Sequence, residues 1–328
     1  MPQPSYIYTL FVSHVLESLP FLLLGIIISS GLLVFVDEHE LVAKFPRSRI
    51  LGVIIGSSLG LLLPVGQYGN IPVTRRLLLQ GVSIPVCISF LIASPTINPF
   101  VILSSWQVLG GHPRLIFLRI LGAWLIGIII GFVFSTYSDK PVASEGETAI
   151  LETRSTLVRS GTIVRPLEGF QPLHRAGNLI YENKEMSGAY RTLKQQLYVF
   201  VDNLIREFLE LGSILILGAA ISTAFQVFLP QAQLLAWGQT PLTQILVMGL
   251  LSLVISLNSL WAASFVSPLT TTLLLGSGFV FLLFNSLFNI SSLALLFATI
   301  RGKAAIYLII ITTQLILLFA FVLNFYFG

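Results

Sequence analysis

Charged residues and cysteine are both scarce in this 328-residue chain. Only 10% of the residues are charged, whereas a soluble domain carries about 25%. Hydrophobic residues make up 55%, and several apolar runs reach the roughly 18 residues that cross a bilayer. The composition therefore excludes an ordinary soluble protein and predicts an all-α polytopic membrane protein in contact with the lipid bilayer.

The single cysteine, Cys87, excludes an intramolecular disulfide and a thiolate metal cluster. The sequence also lacks a Walker-type phosphate-binding loop and the His-Glu-x-x-His zinc motif. An intramembrane aspartyl site needs two aspartates, and only Asp202 is close to an apolar run. We therefore expect that the protein is not an enzyme and that it binds no metal and no cofactor. The net charge of +4 fits the excess of cations in membrane loops, and we expect no nucleic-acid partner.

One stretch, residues 62–99, differs from the apolar runs around it. It contains five prolines, three glycines, two adjacent arginines and a run of uncharged polar residues. Proline removes a backbone donor, and broken backbone at membrane depth is tolerated only inside protein or beside water. Because broken polar helices are typical of transporter sites, this stretch predicts the pathway of a permease.

Neutral polar residues gather in this stretch and around a second polar break near residues 258–272. We predict that they line the path of a small-molecule substrate; the alternative is that they only satisfy broken backbone. A neutral lining fits a neutral or weakly polar solute. The path candidates are Gln67, Tyr68, Gly69, Asn70, Thr74, Thr96, Asn98, Asn258, Asn285 and Asn289. The prolines predicted to position half-helix ends are Pro64, Pro72, Pro95, Pro99 and Pro268.

Two carboxylates, Glu17 and Glu210, are the candidates for proton coupling, because proton relays in transporters use such groups. Glu17 lies inside the first apolar run, three residues after His14. The alternative is that its side chain reaches the membrane interface. For Arg75 and Arg76 we expect a surface position, where they cap a helix end or attract an anion.

The two halves of the chain resemble each other. Residues 15–30 align with residues 208–223, which places Glu17 on Glu210. Farther along, Asn98 aligns with Asn289. We predict two membrane repeats of about five segments each, spanning 1–137 and 197–328, joined by a polar flexible linker, 138–196.

An odd number of crossings in each half makes the two repeats inverted, with their broken helices at the midplane. The linker, which holds eight Lys and Arg between residues 138 and 194, then lies inside, and both termini lie outside. Arg114 and Arg119, near a turn, are the cations on the outer side. If the broken segments do not cross, the count is eight instead of ten.

Residues 62–99 also carry a family pattern. They resemble the predicted permeases that include the organoarsenical efflux permeases, which implies a two-repeat membrane permease. The matching residues are Leu63, Pro64, Gly69, Pro72, Arg75, Arg76, Gly81, Phe90, Leu91, Pro95, Asn98 and Pro99. Where that family often has a Cys-x-Cys pair, this chain has Gly66-Gln67-Tyr68, and soft ions such as trivalent arsenic prefer thiolate ligands.

These observations predict a secondary transporter, an exporter coupled to protons, in a cell inner membrane. The alternative is a transport-inactive membrane scaffold or assembly factor derived from a permease. A flux that depends on Glu17 distinguishes the first from the second.

Overall fold

The computed structural model describes residues 4–46, 48–136, 157–158, 193–228 and 231–327, and these residues form helices joined by turns. The helices are α1 (Pro4–Phe35), α2 (Glu38–Lys44), α3 (Arg49–Ser58), α4 (Gly66–Leu79), α5 (Ile84–Ala93), α6 (Pro99–Leu109), α7 (Pro113–Phe134), α8 (Leu193–Phe228), α9 (Gln231–Trp237), α10 (Pro241–Ile255), α11 (Ala262–Val266), α12 (Leu275–Leu287), α13 (Ile290–Thr299) and α14 (Gly302–Phe327). Single 3₁₀ turns follow α3 and α11. This architecture confirms the all-α class. Most of the predicted linker lies outside the described residues.

Four helices, α1, α7, α8 and α14, are long and apolar enough to cross a membrane. The pair α12 and α13 passes the same test together, although the two helices meet at an angle of 43°. Shorter apolar helices, α3, α5, α6 and α10, accompany them. The chain is therefore a multi-pass membrane protein, and the count of ten segments stays a prediction.

The order of helices in the first half recurs in the second half. Each half begins with a long helix, of 32 residues in α1 and 36 residues in α8. A helix of seven residues follows in both halves, and each half ends on another long helix. The bend between α12 and α13 has its counterpart between α5 and α6, so seven helices of one half correspond in order to seven of the other.

Three helices form the centre of the molecule. In α4, α5 and α12, almost every residue is buried, in keeping with their position inside a shell of longer helices. Helix α5 packs between α3 and α7, and α12 packs between α10 and α14. Contacts between the halves join α1 to α8, α4 to α13 and α6 to α11. The polar residues of α4 are therefore held at the boundary of the two halves.

Small residues set the closest contacts in this packing. A Cβ added at Gly25 in α1 would collide with the backbone of Gly69 in α4, and a Cβ added at Gly69 would collide with the carbonyl oxygen of Phe21 in α1. Likewise, a Cβ at Gly56 would meet the backbone of Val86 in α5. The Gly-x-x-x-Gly run of α3 is thus a helix-packing face.

Candidate functional site

Two asparagines cap the helices that begin at the two breaks. The side chain of Asn98 accepts a hydrogen bond of 2.9 Å from the backbone N–H of Phe100, at the start of α6. Asn289 accepts one of 2.8 Å from Ser292 at the start of α13. Both asparagines are fully buried. Since the sequence alignment pairs them, the two halves use one device to begin a helix inside the membrane.

Two further asparagines hold the unwound segment after α10. This segment begins at Ser256, which has a left-handed backbone with φ of 47°. Asn285 donates a hydrogen bond of 2.8 Å to the carbonyl of Leu257, and Asn258 donates one of 3.0 Å to the carbonyl of Glu17. The first bond satisfies a backbone oxygen of the unwound segment, and the second ties that segment to helix α1.

The first turn of α4 reaches across to the second half. Gln67 donates to the carbonyl of Asn285 at 2.6 Å, and its side-chain oxygen accepts from the N–H of Ser259 at 3.2 Å. The hydroxyl of Tyr68 accepts from Asn289 at 3.1 Å. Gly66 starts this turn with φ of +68°, which a residue with a side chain rarely adopts. The glycine thus directs Gln67 and Tyr68 at the opposite break.

A small cavity of about 20 Å³ lies where the halves meet. That volume suits about one water molecule. Its polar lining comes from both halves: Gln67, Asn70, Ser286 and Ser292. The side chain of Asn70 donates to the carbonyl of Leu91 at 2.9 Å, while its oxygen has no partner among the described residues.

Several other buried polar atoms near the breaks have no hydrogen-bond partner within the described part of the chain. They are Ser94 Oγ, Thr96 Oγ1, Asn98 Nδ2 and Asn285 Oδ1. Buried polar atoms normally find a partner, so these mark places where water or a solute could bind. Thr74 differs, because its hydroxyl donates to the carbonyl of Asn70 at 2.7 Å. Gly69 serves the contact with α1 described above.

The predicted helix-break prolines occupy three kinds of position. Pro99 begins α6, and Pro268 lies in the 3₁₀ turn after α11. Pro64 and Pro95 lie in turns, before α4 and after α5 respectively. Pro72 lies inside α4, so it is not at a helix end as the sequence suggested.

Two arginines expected at the surface are buried instead. Arg75 and Arg76 are only 8% and 6% exposed. Arg75 Nη1 lies 3.3 Å from a carboxylate oxygen of Glu210, and Arg76 Nη2 lies 3.7 Å from one of Glu207. The surface interpretation is wrong because helix α8, more than a hundred residues later in the chain, covers this end of α4.

Glu207 is the residue that sequence analysis missed at this cluster. Its carboxylate is buried and accepts a hydrogen bond of 3.0 Å from Ser29 in α1. Asn203 ties the same group together, donating to Ser30 at 2.9 Å and accepting from Arg76 at 3.2 Å. A signal was available, because the offset that pairs Glu17 with Glu210 also pairs His14 with Glu207.

His14 lies at the opposite end of the α1–α8 contact. One ring nitrogen is 3.2 Å from the carbonyl of Ile255, and the other is 3.4 Å from the hydroxyl of Thr223. Residue 14 of α1 thus faces residue 223 of α8, and residue 29 faces residue 207. The two long helices therefore run antiparallel.

Glu17 and Glu210 are not brought together. By the antiparallel pairing, Glu210 is level with about residue 26 of α1, roughly 14 Å along the axis from Glu17 at 1.5 Å per residue. The carboxylate of Glu17 is half-buried and forms no ion pair with the described residues.

Arg119 was expected near a turn on the outer side, and the structure places it inside a helix instead. It is the seventh residue of α7 and is 1% exposed. It donates to Ser105 Oγ at 2.6 Å, to the carbonyl of Ser259 at 2.8 Å and to Ser286 Oγ at 3.1 Å. A lone arginine in an otherwise apolar run was the signal that could have identified it.

Neither a metal site nor a serine nucleophile stands out among the described residues. No group of three His, Cys, Asp or Glu side chains is close enough to hold a metal there. Residues 56–60 match the Gly-x-Ser-x-Gly pattern of serine hydrolases, but they lie at the packing face of α3. Ser58 donates to the carbonyl of Ile54 and accepts from Trp124, without a histidine.

A multi-pass helical membrane protein whose halves bring buried polar breaks together has the organisation of a membrane permease. The sequence matches, over residues 5–325, the profile of a family described as "Predicted permease", and the chain belongs to that family. The resemblance found at residues 62–99 is thereby confirmed.

Two relatives support this assignment. The chain is 31% identical to the UPF0718 protein YcgR of Bacillus subtilis over 301 residues, which cover 92% of this chain and 91% of the relative. It is 26% identical over 276 residues to a Streptococcus mutans protein whose name proposes a subunit of a two-component membrane permease complex, with 81% of each chain covered. No solved structure is significantly similar to the chain. Family membership indicates a transporter rather than an enzyme.

Proposed function

We propose that this protein is a secondary permease that moves a small solute between its two halves. The observation that carries the proposal is the cavity at their boundary, which is lined by polar groups of both halves. Orphaned polar atoms around the two breaks can hold water or solute in a way that a sealed apolar core could not. The path would use the ten neutral residues named from the sequence.

The two halves, 1–137 and 197–328, are proposed to be inverted repeats. Three observations support this arrangement: the recurring order of helices, the paired caps Asn98 and Asn289, and the antiparallel contact between α1 and its counterpart α8. Corresponding helices that pack antiparallel are related by an axis perpendicular to their length, which lies in the membrane plane. Rocking one half against the other would then expose the cavity alternately.

Proton coupling is proposed to use the membrane carboxylates. Glu17 is half-buried near the second break, and Glu210 pairs with Arg75 on α4. To these two candidates we add Glu207, whose contact with Arg76 ties α8 to the same helix. Protonation of either carboxylate on α8 would weaken an ion pair that holds the two halves together.

The test is efflux from an export-deficient host that expresses the protein in its inner membrane. The solute panel includes neutral polar compounds and a trivalent methylarsenical, although the Cys-x-Cys pair is replaced by Gly66-Gln67-Tyr68. We expect flux that falls at least tenfold in Glu17→Gln and Glu210→Gln. Asp202→Asn, on the exposed face of α8, is the matched control and should keep its flux. A folded protein that exports nothing on the panel would favour the scaffold alternative, whereas mutants with full flux would contradict coupling through Glu17 and Glu210.

The name of the Streptococcus mutans relative favours a second proposal, that this chain is the membrane subunit of a two-component complex. The purified chain alone should then show little flux in liposomes and gain it when the second subunit is added. Full flux by the chain alone would contradict this proposal.

A further inference from the structure

Arg119 is a buried cation that the neutral path described above does not use. It lies about 9 Å along the axis from the start of α7, by the helical rise. No carboxylate among the described residues forms an ion pair with it. Charged side chains in membrane helices are costly and usually mark a substrate or ion pathway.

The partners of Arg119 leave its charge uncompensated. All three acceptors, the hydroxyls of Ser105 and Ser286 and the carbonyl of Ser259, are neutral. A guanidinium has five N–H groups, and its Nε has no partner within the described part of the chain. Charge-assisted hydrogen bonds are stronger than neutral ones, but burying a cation without a counter-charge is costly.

Arg119 is also next to the cavity between the halves. Ser286, which accepts one of its hydrogen bonds, lines that cavity. Gln67, another lining residue, binds the N–H of Ser259, whose carbonyl accepts a second bond from Arg119. The guanidinium is therefore one side chain away from the proposed path.

We propose that Arg119 recognises an anionic group, a carboxylate or another oxyanion, on the transported solute. The proposal rests on the proposed permease function and changes the expected substrate from neutral to anionic. The planar guanidinium matches two oxygens of such a group, and its unpartnered Nε supplies a donor. The cavity admits about one water in this conformation, so the anion reaches Arg119 when the halves separate.

The test is thermal unfolding of the purified protein in detergent, titrated separately with acetate, phosphate, sulfate and chloride. We expect a saturable rise in Tm with at least one oxyanion, lost in Arg119→Gln. Arg114→Gln is the matched control, because Arg114 is an exposed arginine on the same helix and its variant should keep the rise. No saturable rise in the wild type, or an equal rise in Arg119→Gln, would overturn the proposal.

If Arg119→Gln does not fold, Arg119→Lys is the variant to test, because it keeps the positive charge but lacks the paired N–H donors of the guanidinium. A weaker anion affinity in this variant supports the proposal, and an unchanged affinity contradicts it. The transport assay separates the two proposals. Export of a neutral solute unaffected by Arg119→Lys leaves the permease and removes the anion site. Anion binding without any export keeps the anion site and removes the permease proposal.

A second, independent observation concerns two residues of the predicted linker. Leu157 and Val158 are described by the structure, and they are 0% and 9% exposed, although an aqueous linker was expected here. Val158 forms an antiparallel bridge with Ile300, and the N–H of Arg301 donates to the carbonyl of Leu157 at 2.8 Å. This pair is thus docked between α13 and α14.

The docked pair lies at one end of the path. Val158 lines a second small cavity together with Thr74 and Thr299, and this cavity has no room for a water molecule. Ile71 and Leu91 line both this cavity and the larger one between the halves. Val158 is therefore separated from the path cavity by one layer of side chains.

We infer that Leu157 and Val158 form a plug that closes this mouth of the path and must leave before solute passes. The inference rests on the path in the proposed function, but not on Arg119. Leu157 and Val158 are buried and bridge to Ile300, and a short contact of this kind can open locally while the membrane helices stay folded. The permease would then be self-inhibited, and it would open when Leu157 and Val158 move out of this mouth of the path.

A disulfide can lock the plug in place. In an antiparallel pair flanked by a bond such as Arg301 to Leu157, the facing residues have Cα atoms about 4.5 Å apart, within the range of a disulfide. In a Cys87→Ala background, Val158→Cys with Ile300→Cys should cross-link under mild oxidation. Flux should fall at least tenfold and return with reductant, while each single-cysteine variant keeps its flux.

Accessibility gives a readout that needs no transport. In the same background, Thr74→Cys should react slowly with a membrane-impermeant thiol reagent, because Val158 covers it. Adding Leu157→Ala and Val158→Ala should raise that rate at least tenfold. A cross-link that leaves flux unchanged, the absence of a cross-link, or a labelling rate that does not change would overturn the plug. Absence of flux both in the cysteine-free protein and in its variant with Leu157→Ala and Val158→Ala removes the permease proposal instead.

Discussion

At the scale of single residues, the ion pair between Arg76 and Glu207 has the sharpest consequence. Both side chains are 7% exposed. Removing one member leaves the other charge buried, so Glu207→Gln and Arg76→Gln should each cost about 3–5 kcal/mol of unfolding free energy. The double variant should cost clearly less than the sum. Denaturant titration of the purified protein measures all three.

A control pair is present on the same helix. Asp202 and Arg206 form an ion pair of 2.8 Å on the exposed side of α8. Neutralising both residues should leave the unfolding midpoint nearly unchanged, since exposed pairs contribute little. If the stability losses of Arg76→Gln and Glu207→Gln simply add in the double variant, the two residues are not energetically coupled.

The caps of the two broken helices make a second prediction at this scale. Asn289→Ala removes the acceptor at the start of α13 and should cost about 0.5–2 kcal/mol. Asn289→Ser keeps a neutral side-chain acceptor at the cap but loses the donor to Tyr68, so it should fold better than Asn289→Ala while still losing flux. Measurements of unfolding and of efflux on the same variants check both parts of this expectation. Equal stability of the two variants would refute the capping role.

At the scale of helices, the contact of α1 with α4 depends on two glycines. Gly25→Ala or Gly69→Ala would force a methyl group into the facing backbone, which should cost about 1–3 kcal/mol and lower the yield of folded protein. Gly31→Ala is the control on the same helix, because a Cβ there meets nothing within 4 Å. A stable, active Gly69→Ala variant would show that these helices can move apart freely.

The helices also show what sequence patterns can and cannot reveal. Apolar runs mark α1, α7 and α14 in the sequence, because a helix in lipid must satisfy its backbone internally whatever its neighbours are. Conversely, Pro72 was expected at a helix end and lies inside α4. A neighbouring helix can shield the backbone group that proline frees, and only packing decides where this happens.

At the scale of the whole molecule, the prediction to test is the number of crossings. With ten segments, the chain termini lie on one side of the membrane and the start of α8 lies on the other; with eight, all three share a side. Single cysteines in a Cys87→Ala background report the side of the membrane on which a position lies. Suitable exposed positions are Tyr8, Leu193 and Tyr326. We expect an impermeant thiol reagent to label positions 8 and 326 from one side and 193 from the opposite side.

Labelling of all three positions from the same side would support eight crossings instead. It would also remove the inverted relation between the halves, because an even number of crossings gives both halves the same orientation. The antiparallel contact of α1 with α8 favours the first outcome.

Local composition was enough to predict the class of protein and the position of its two polar breaks. Both depend on the local sequence, because every segment that crosses lipid must satisfy its backbone hydrogen bonds within the protein. The tertiary structure alone decided which charges are buried and with what. Arg75, Arg76 and Arg119 each have a partner on a segment 127–167 residues away, and their burial follows from the packing of whole helices. No local pattern specifies that packing.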